Sequence, residues 1–233
     1  MGDYGSMIFL IPAIIFTLIA QARVKSAFNK WSRVDAGTGM TGAEAARQML
    51  DRNGLRDVDI AMVSGSLTDN YDPRSRRLNL SQSVYGSTSV SAVSVACHEA
   101  GHAVQHATDY APLRIRSSIV PVVSFASSFS WILIMVGLLL IASGDAFGAF
   151  GDTIFNIGVL AFVLVVVFHL VTLPVEFDAS NRAIKNIEAS GFVAGDKLSG
   201  SKAVLRAAAL TYVAALAVSV ANLLRVLAIR GRR

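Results

Sequence analysis

The sequence predicts a mainly α-helical, polytopic membrane protein. Of its 233 residues, 53% are hydrophobic and only 16% are charged, whereas a soluble domain of this length carries about 25% charged residues. The apolar residues are concentrated in four uncharged runs, and one long polar segment separates the first run from the second. We therefore expect residues 1–233 to form a single membrane-embedded domain, with its ionisable chemistry in the polar segment.

Each uncharged run is close to the length of about 20 residues that a helix needs to cross the hydrocarbon core. The runs cover residues 4–22, 120–143, 153–173 and 207–224. Basic side chains follow the first run, and positive charge marks the cytoplasmic side of a membrane. The polar segment, residues 23–118, is therefore predicted to be cytoplasmic. The loop at residues 144–152 carries acids and no base, as expected on the outer face.

The last run, residues 207–224, is Ala-rich and only moderately hydrophobic. If it crosses the membrane, Arg230 and the arginines after it lie outside, which opposes the positive-inside trend. The alternative is a helix that packs within the protein without crossing. We expect it to cross.

The polar segment contains signals for a helix and two strands. Thr41 and Glu44 form a capping-box pattern that opens a helix, which Asn53 and Gly54 end. Residues 58–63 and 77–81 alternate between apolar and polar side chains, which is typical of strands. We expect the two strands to pair as a small β-hairpin. Its exposed edge is either purely structural or holds an extended peptide by main-chain hydrogen bonds.

The strongest chemical signal is an HExxH motif, His98-Glu99-Ala100-Gly101-His102. It lies in a predicted helix over residues 89–108, where the two histidines stand one turn apart on the same face. Two imidazoles spaced in this way hold one Zn²⁺, and the glutamate serves as the general base. Such short patterns recur by chance, but the flanking residues are small or apolar, and three of the four histidines lie in this helix. The sequence therefore predicts a zinc site.

A catalytic zinc ion takes three protein ligands and keeps one open position. His106 is one further turn along the helix and has drifted round it, so we do not expect it to be a ligand. Glu176 and Asp178 are acids with apolar neighbours on the predicted cytoplasmic side. His169 lies within an apolar run, where ionisable residues often have a function, although an internal hydrogen bond is the simpler explanation. The single cysteine, Cys97, excludes an intrachain disulfide and is interpreted as a small buried residue.

The chain also resembles the YugP-like family of membrane zinc metallopeptidases, in the gluzincin group. The matching stretches are GSLTDNYDP (residues 65–73), LNLS (78–81), VACHEAGHAVQ (95–105), LPVEFDAS (173–180) and AAALTYVAA (207–215). The resemblance implies that Glu176 is the third zinc ligand beside His98 and His102, with Glu99 as the catalytic base. The chain departs from the family in two places. Asn70 stands where a histidine is typical, and Ser180 replaces the usual acid.

The resemblance implies a membrane-bound zinc endopeptidase. Glu176 lies near the end of an apolar run and the motif helix precedes another, so we expect the site at the cytoplasmic membrane surface of a multi-pass protein in the plasma membrane of a bacterium. Asp178 is a candidate for orienting a ligand histidine, and Tyr212 is a candidate oxyanion donor. The expected partners are the lipid bilayer and a peptide or protein substrate, and no nucleic acid. Two alternatives remain: a non-catalytic scaffold with structural zinc or none, and a protease that cuts within the bilayer.

Overall fold

The structure, a computed structural model, describes residues 7–65 and 67–231 and is mainly helical, as the sequence predicts. The elements in chain order are α1 (Met7–Trp31), α2 (Gly42–Arg52), β1 (Asp59–Val63), β2 (Asn70–Asp72), β3 (Arg77–Ser81), α3 (Gln82–Tyr85), α4 (Val90–Ala107), α5 (Ala111–Ala142), α6 (Asp145–Ser190) and α7 (Leu198–Gly231), with a 3₁₀ turn at Gly195–Lys197. The first three residues predicted for the first span, residues 4–6, lie outside the described residues.

Four helices, α1, α5, α6 and α7, are long and apolar enough to cross a membrane. They contain the four runs predicted from the sequence, as far as those runs are described, except for Ser143, which directly follows the end of α5. The predicted loop at residues 144–152 is wrong, because α6 begins at Asp145. Helix α6 then continues for 46 residues through Pro174, so Glu176 lies on the same helix as the third apolar run.

Helix α2 begins as its capping box predicts. The Thr41 hydroxyl accepts a hydrogen bond from the Glu44 backbone N–H, and the Glu44 carboxylate accepts one from the Thr41 N–H. These reciprocal bonds satisfy backbone donors that a helix start leaves without partners. The helix ends at Asn53, which caps it, and Gly54 follows with a φ of 76°. The buried face of α2 then packs in the same core as α4.

The three strands form a sheet in the order β1-β3-β2. Strands β1 and β3 pair in parallel, with Ile60 opposite Leu78. The predicted hairpin between these two strands is therefore wrong, since a two-strand hairpin requires antiparallel neighbours. The antiparallel pair is instead β2 with β3. Strand β2 has only three residues, which is too few to produce a visible alternation in the sequence.

The chain divides into two compact units. Unit 1 contains Met1–Leu18, Ile115–Thr172 and Tyr212–Arg233, and unit 2 contains Ile19–Arg114 and Leu173–Thr211. Unit 1 has a small core of four buried side chains: Ile134, Phe155, Phe162 and Val226. Unit 2 has the larger core, which includes one face of α2, one face of α4 and part of α6. All the HExxH residues and Glu176 belong to unit 2.

Candidate metal centre

Helix α4 carries the HExxH motif, and it forms as the sequence predicts. The Ser89 hydroxyl caps its start by accepting a hydrogen bond from the Ala92 N–H at 3.2 Å. The small and apolar side chains on either side of the motif are buried in the core of unit 2. His98 is only 8% exposed, so its imidazole is held in a largely water-free setting.

The α6 backbone comes very close to α4 at Gly101, in the middle of the motif. A Cβ atom added to Gly101 would lie 2.7 Å from the carbonyl oxygen of Ala179, which is shorter than any ordinary contact. Glycine is therefore required here to let the two helices approach. This close approach brings Glu176, one turn before Ala179, against the two histidines.

The side chains of His98, His102 and Glu176 converge on one point. The Glu176 Oε2 atom is 3.3 Å from His98 Nε2 and 3.6 Å from His102 Nε2. The ligand atoms of all three residues lie within 4.8 Å of one another. Tetrahedral zinc with bonds of about 2.0–2.1 Å holds its ligand atoms roughly 3.4 Å apart. Two imidazoles and a carboxylate at this spacing fit a zinc ion with one open position.

The second nitrogen of each histidine ring contacts a neighbouring side chain. His98 Nδ1 lies 3.1 Å from the Ser180 hydroxyl, and His102 Nδ1 lies 2.9 Å from Gln105 Oε1. An amide oxygen only accepts, so His102 must donate from Nδ1. That leaves its Nε2 lone pair directed at the convergence point. Contacts of this kind fix the orientation of metal-binding histidines and raise their basicity.

Gln105 is completely buried and connects the site to α6. Its Nε2 donates to the Val175 carbonyl at 2.7 Å and to Asp178 Oδ2 at 2.9 Å. Asp178 also accepts from Arg182 at 2.6 Å. Asp178 was a candidate for orienting a ligand histidine, and it contacts His102 only through Gln105. Gln105 was not predicted from the sequence, although a polar side chain on the buried face three residues after His102 was an available signal.

Glu99 lies next to the convergence point, partly buried. Its Oε2 atom accepts a hydrogen bond from the backbone N–H of Tyr71, at 3.2 Å, on strand β2. Burial raises the pKa of Glu99 and nearby Glu176 adds to this effect, while the two histidines oppose it. For His102, burial lowers the pKa, but the hydrogen bond and charge of Glu176 outweigh it and the net pKa is raised. The carboxylates of Glu99 and Glu176 and the imidazoles of His98 and His102 therefore lie close enough to interact electrostatically.

Four other residues singled out from the sequence, His106, His169, Asn70 and Tyr212, lie outside this metal-ligand group. His106 Nδ1 is instead 2.9 Å from the Tyr71 hydroxyl. Among the described residues the group has three members, and His169 is not one of them. Asn70, on the edge of the sheet, accepts a hydrogen bond from Asn79 at 3.4 Å. Tyr212 belongs to unit 1, and its role as an oxyanion donor stays a prediction.

The chain is also similar to known proteins along nearly its whole length. Residues 6–231 match a protein family described as "Putative neutral zinc metallopeptidase". The chain belongs to this family. It is also 48% identical, over 219 residues, to "Putative membrane protease YugP" of Bacillus subtilis (strain 168), a match that covers 94% of this chain and 93% of that protein. No solved structure matches the chain. The resemblance stated from the sequence is confirmed, and the family's description implies zinc.

Proposed function

We propose that this chain is a membrane-bound zinc endopeptidase. The observation that carries the proposal is the convergence of His98, His102 and Glu176, whose ligand atoms lie within 4.8 Å of one another. This His₂Glu donor set is that of catalytic zinc sites, whereas structural zinc sites have four protein ligands, often cysteines. Cys97 is buried and outside the ligand group, so the donor set favours an enzyme over a scaffold.

The proposed roles follow from the contacts. Both Nε2 atoms and the Glu176 carboxylate would hold Zn²⁺, which would supply Lewis-acid chemistry by polarising a peptide carbonyl and lowering the pKa of water. Glu99 takes a proton from the attacking water and passes it to the leaving amine. The Tyr71 N–H keeps the Glu99 carboxylate in place. Ser180 and Gln105 hold the two imidazoles in the orientation that presents Nε2.

Substrate binding is proposed at the outer edge of β2. In an antiparallel strand the N–H and C=O of one residue point to the same side. The Tyr71 N–H is directed at Glu99, so its carbonyl faces the site as well and is available to an extended peptide. Such strand addition binds main chain with little regard to sequence. We propose peptide or protein substrates on this basis, and no nucleic acid.

The proposed location is the cytoplasmic face of a bacterial plasma membrane, in a multi-pass chain. Basic residues follow the apolar part of α1, which favours a cytoplasmic unit 2. A crossing by α7 is supported within unit 1, where Arg230 pairs with Asp152 at 3.0 Å. The end of α7 therefore lies beside the start of α6, and the pairing offsets an arginine charge on the outer face. Helix α4 lies outside the apolar helices, which argues against cleavage within the bilayer.

The test is zinc content and casein cleavage by the full chain purified in detergent. We expect Glu99→Gln to keep zinc and lose cleavage, because it removes only the proton acceptor. Glu176→Ala should lose both, whereas Glu188→Ala, an exposed carboxylate on the same helix, should lose neither. Normal zinc content in Glu176→Ala would refute the ligand assignment. Normal cleavage by Glu99→Gln would refute the enzyme mechanism.

A further inference from the structure

A cavity of about 610 Å³ lies in unit 2 among α1, α6 and α7, beside the metal centre. Three basic side chains line it: Arg23 from α1, and Lys202 and Arg206 from α7. Its remaining lining includes the apolar side chains of Phe177 and Leu210. Phe177 is 44% exposed, so the cavity combines a strongly positive part with an apolar surface.

No acidic side chain lines this cavity to balance its positive charge. In residues 7–65 and 67–231, none of the three cations forms an ion pair with a carboxylate. Three cations sharing one cavity repel each other, and an anion bound among them relieves that repulsion. The cavity is therefore electrostatically suited to an anionic group.

The position of the cavity along its helices indicates the source of the anion. Arg23 directly follows the apolar run that ends at residue 22, and Arg206 directly precedes the run that begins at residue 207. Lys202 and Phe177 lie four or five residues beyond an apolar run, which is about 6–8 Å along a helix. The polar headgroup layer of a bilayer is about 5–8 Å thick on each side. All these residues therefore lie at headgroup depth if the runs cross the membrane.

We propose that this cavity binds the phosphodiester headgroup of an anionic phospholipid from the cytoplasmic leaflet. The three cations contact the phosphate, while Leu210, which lies within the apolar run of α7, contacts the glycerol and the first acyl carbons. Basic pockets between membrane helices on the cytoplasmic side are suited to such headgroups. The proposal rests on membrane insertion of α1, α6 and α7 and is independent of peptidase activity. Ser180 lines the cavity and also contacts His98, so the headgroup lies close to the metal centre.

The test is native mass spectrometry of the full chain in neutral detergent, titrated with phosphatidylglycerol or phosphatidylcholine. We expect preferential binding of phosphatidylglycerol. The double variant Lys202→Gln/Arg206→Gln should weaken that binding about thirtyfold, since each basic residue contributes about fivefold at a membrane surface. The matched control Lys25→Gln/Lys185→Gln removes the same charge from exposed positions of α1 and α6 outside the cavity. It should change the affinity less than about threefold.

Further measurements distinguish a loss of charge from a loss of folding, and binding of a lipid from binding of a soluble anion. Lys202→Arg/Arg206→Lys keeps both cations and should bind phosphatidylglycerol within about threefold of the wild type. Far-ultraviolet circular dichroism checks that each variant is folded. Equal weakening in the matched control, or equal binding of phosphatidylcholine, would overturn the proposal. Displacement of the lipid by millimolar inorganic phosphate would also overturn it, because the cavity would then be a site for a soluble anion.

Discussion

Replacing Gln105 with leucine tests whether the side chain that contacts His102 Nδ1 affects metal binding. The substitution keeps a similar side-chain volume but removes the amide that accepts from His102 and donates to Val175 and Asp178. The imidazole then has no acceptor to fix its Nδ1 as a donor. We expect Gln105→Leu to weaken zinc binding while leaving all three ligands in the chain.

The magnitude follows from the hydrogen bonds that the leucine side chain cannot make. Removing a partner that orients a ligand histidine costs about 10–100-fold in metal affinity, which is about 1.4–2.8 kcal/mol. Stability also falls, because the Nδ1–H of His102 becomes a buried donor without its acceptor. Such a group costs about 1–3 kcal/mol. Asp178 is affected less, since Arg182 still donates to it at 2.6 Å.

The assay is competition for zinc with a chromophoric chelator, combined with thermal unfolding of the apoprotein. The matched control is Ser94→Ala, which removes a buried side-chain hydrogen bond on the same helix, from Ser94 to the Val90 carbonyl. It should lower stability by about 1 kcal/mol and leave zinc affinity unchanged. If folded Gln105→Leu binds zinc within about threefold of the wild type, the orienting role of Gln105 is refuted.

Three further predictions address the packing and chemistry around the site. Ser180→Ala removes the hydroxyl beside His98 Nδ1 and should weaken zinc binding up to about tenfold in the same competition assay. Gly101→Ala forces a Cβ to 2.7 Å from the Ala179 carbonyl oxygen, and chemical denaturation should show a loss of about 1–3 kcal/mol. Cys97 is fully buried, and burial raises the pKa of its thiol. At about pH 8 a maleimide should therefore label it slowly in the native protein and rapidly after unfolding, as measured by mass spectrometry.

Each of these predictions has a clear opposing result. Gly86→Ala is the control for Gly101, because no atom lies within 4 Å of the added Cβ, and it should change stability by less than about 0.5 kcal/mol. Equal stability of the two alanine variants would contradict the close helix contact. Unchanged zinc affinity in Ser180→Ala would remove its role in holding His98. Rapid labelling of native Cys97 would show that α4 opens frequently.

Local signals in the sequence predicted the elements that depend on local interactions. The capping box at Thr41 and Glu44 correctly located the start of α2. The predicted motif helix over residues 89–108 differs from α4 only by its two cap residues. The apolar runs correctly located the four long helices. Capping and membrane-length runs are encoded by neighbouring residues, so the sequence is sufficient for them.

The errors concern interactions between distant residues. Parallel pairing of β1 with β3 depends on the chain between them, which also supplies the three-residue strand β2. No alternation signal is possible in so short a polar strand. The loop expected at residues 144–152 is helical from Asp145 onward, in a stretch where Gly151 lets α6 pack closely against Leu140 and Ile141 of α5. Gln105 was missed because two of its three partners, Val175 and Asp178, lie on α6, about seventy positions away.

The chain completes its metal site late in synthesis. His98 and His102 emerge from the ribosome first, and all of α5 and the apolar run of α6 must follow before Glu176 is made. A nascent chain with two ligands binds zinc weakly compared with one that has three. The three-ligand set is therefore incomplete until the apolar segments that precede Glu176 have been translated.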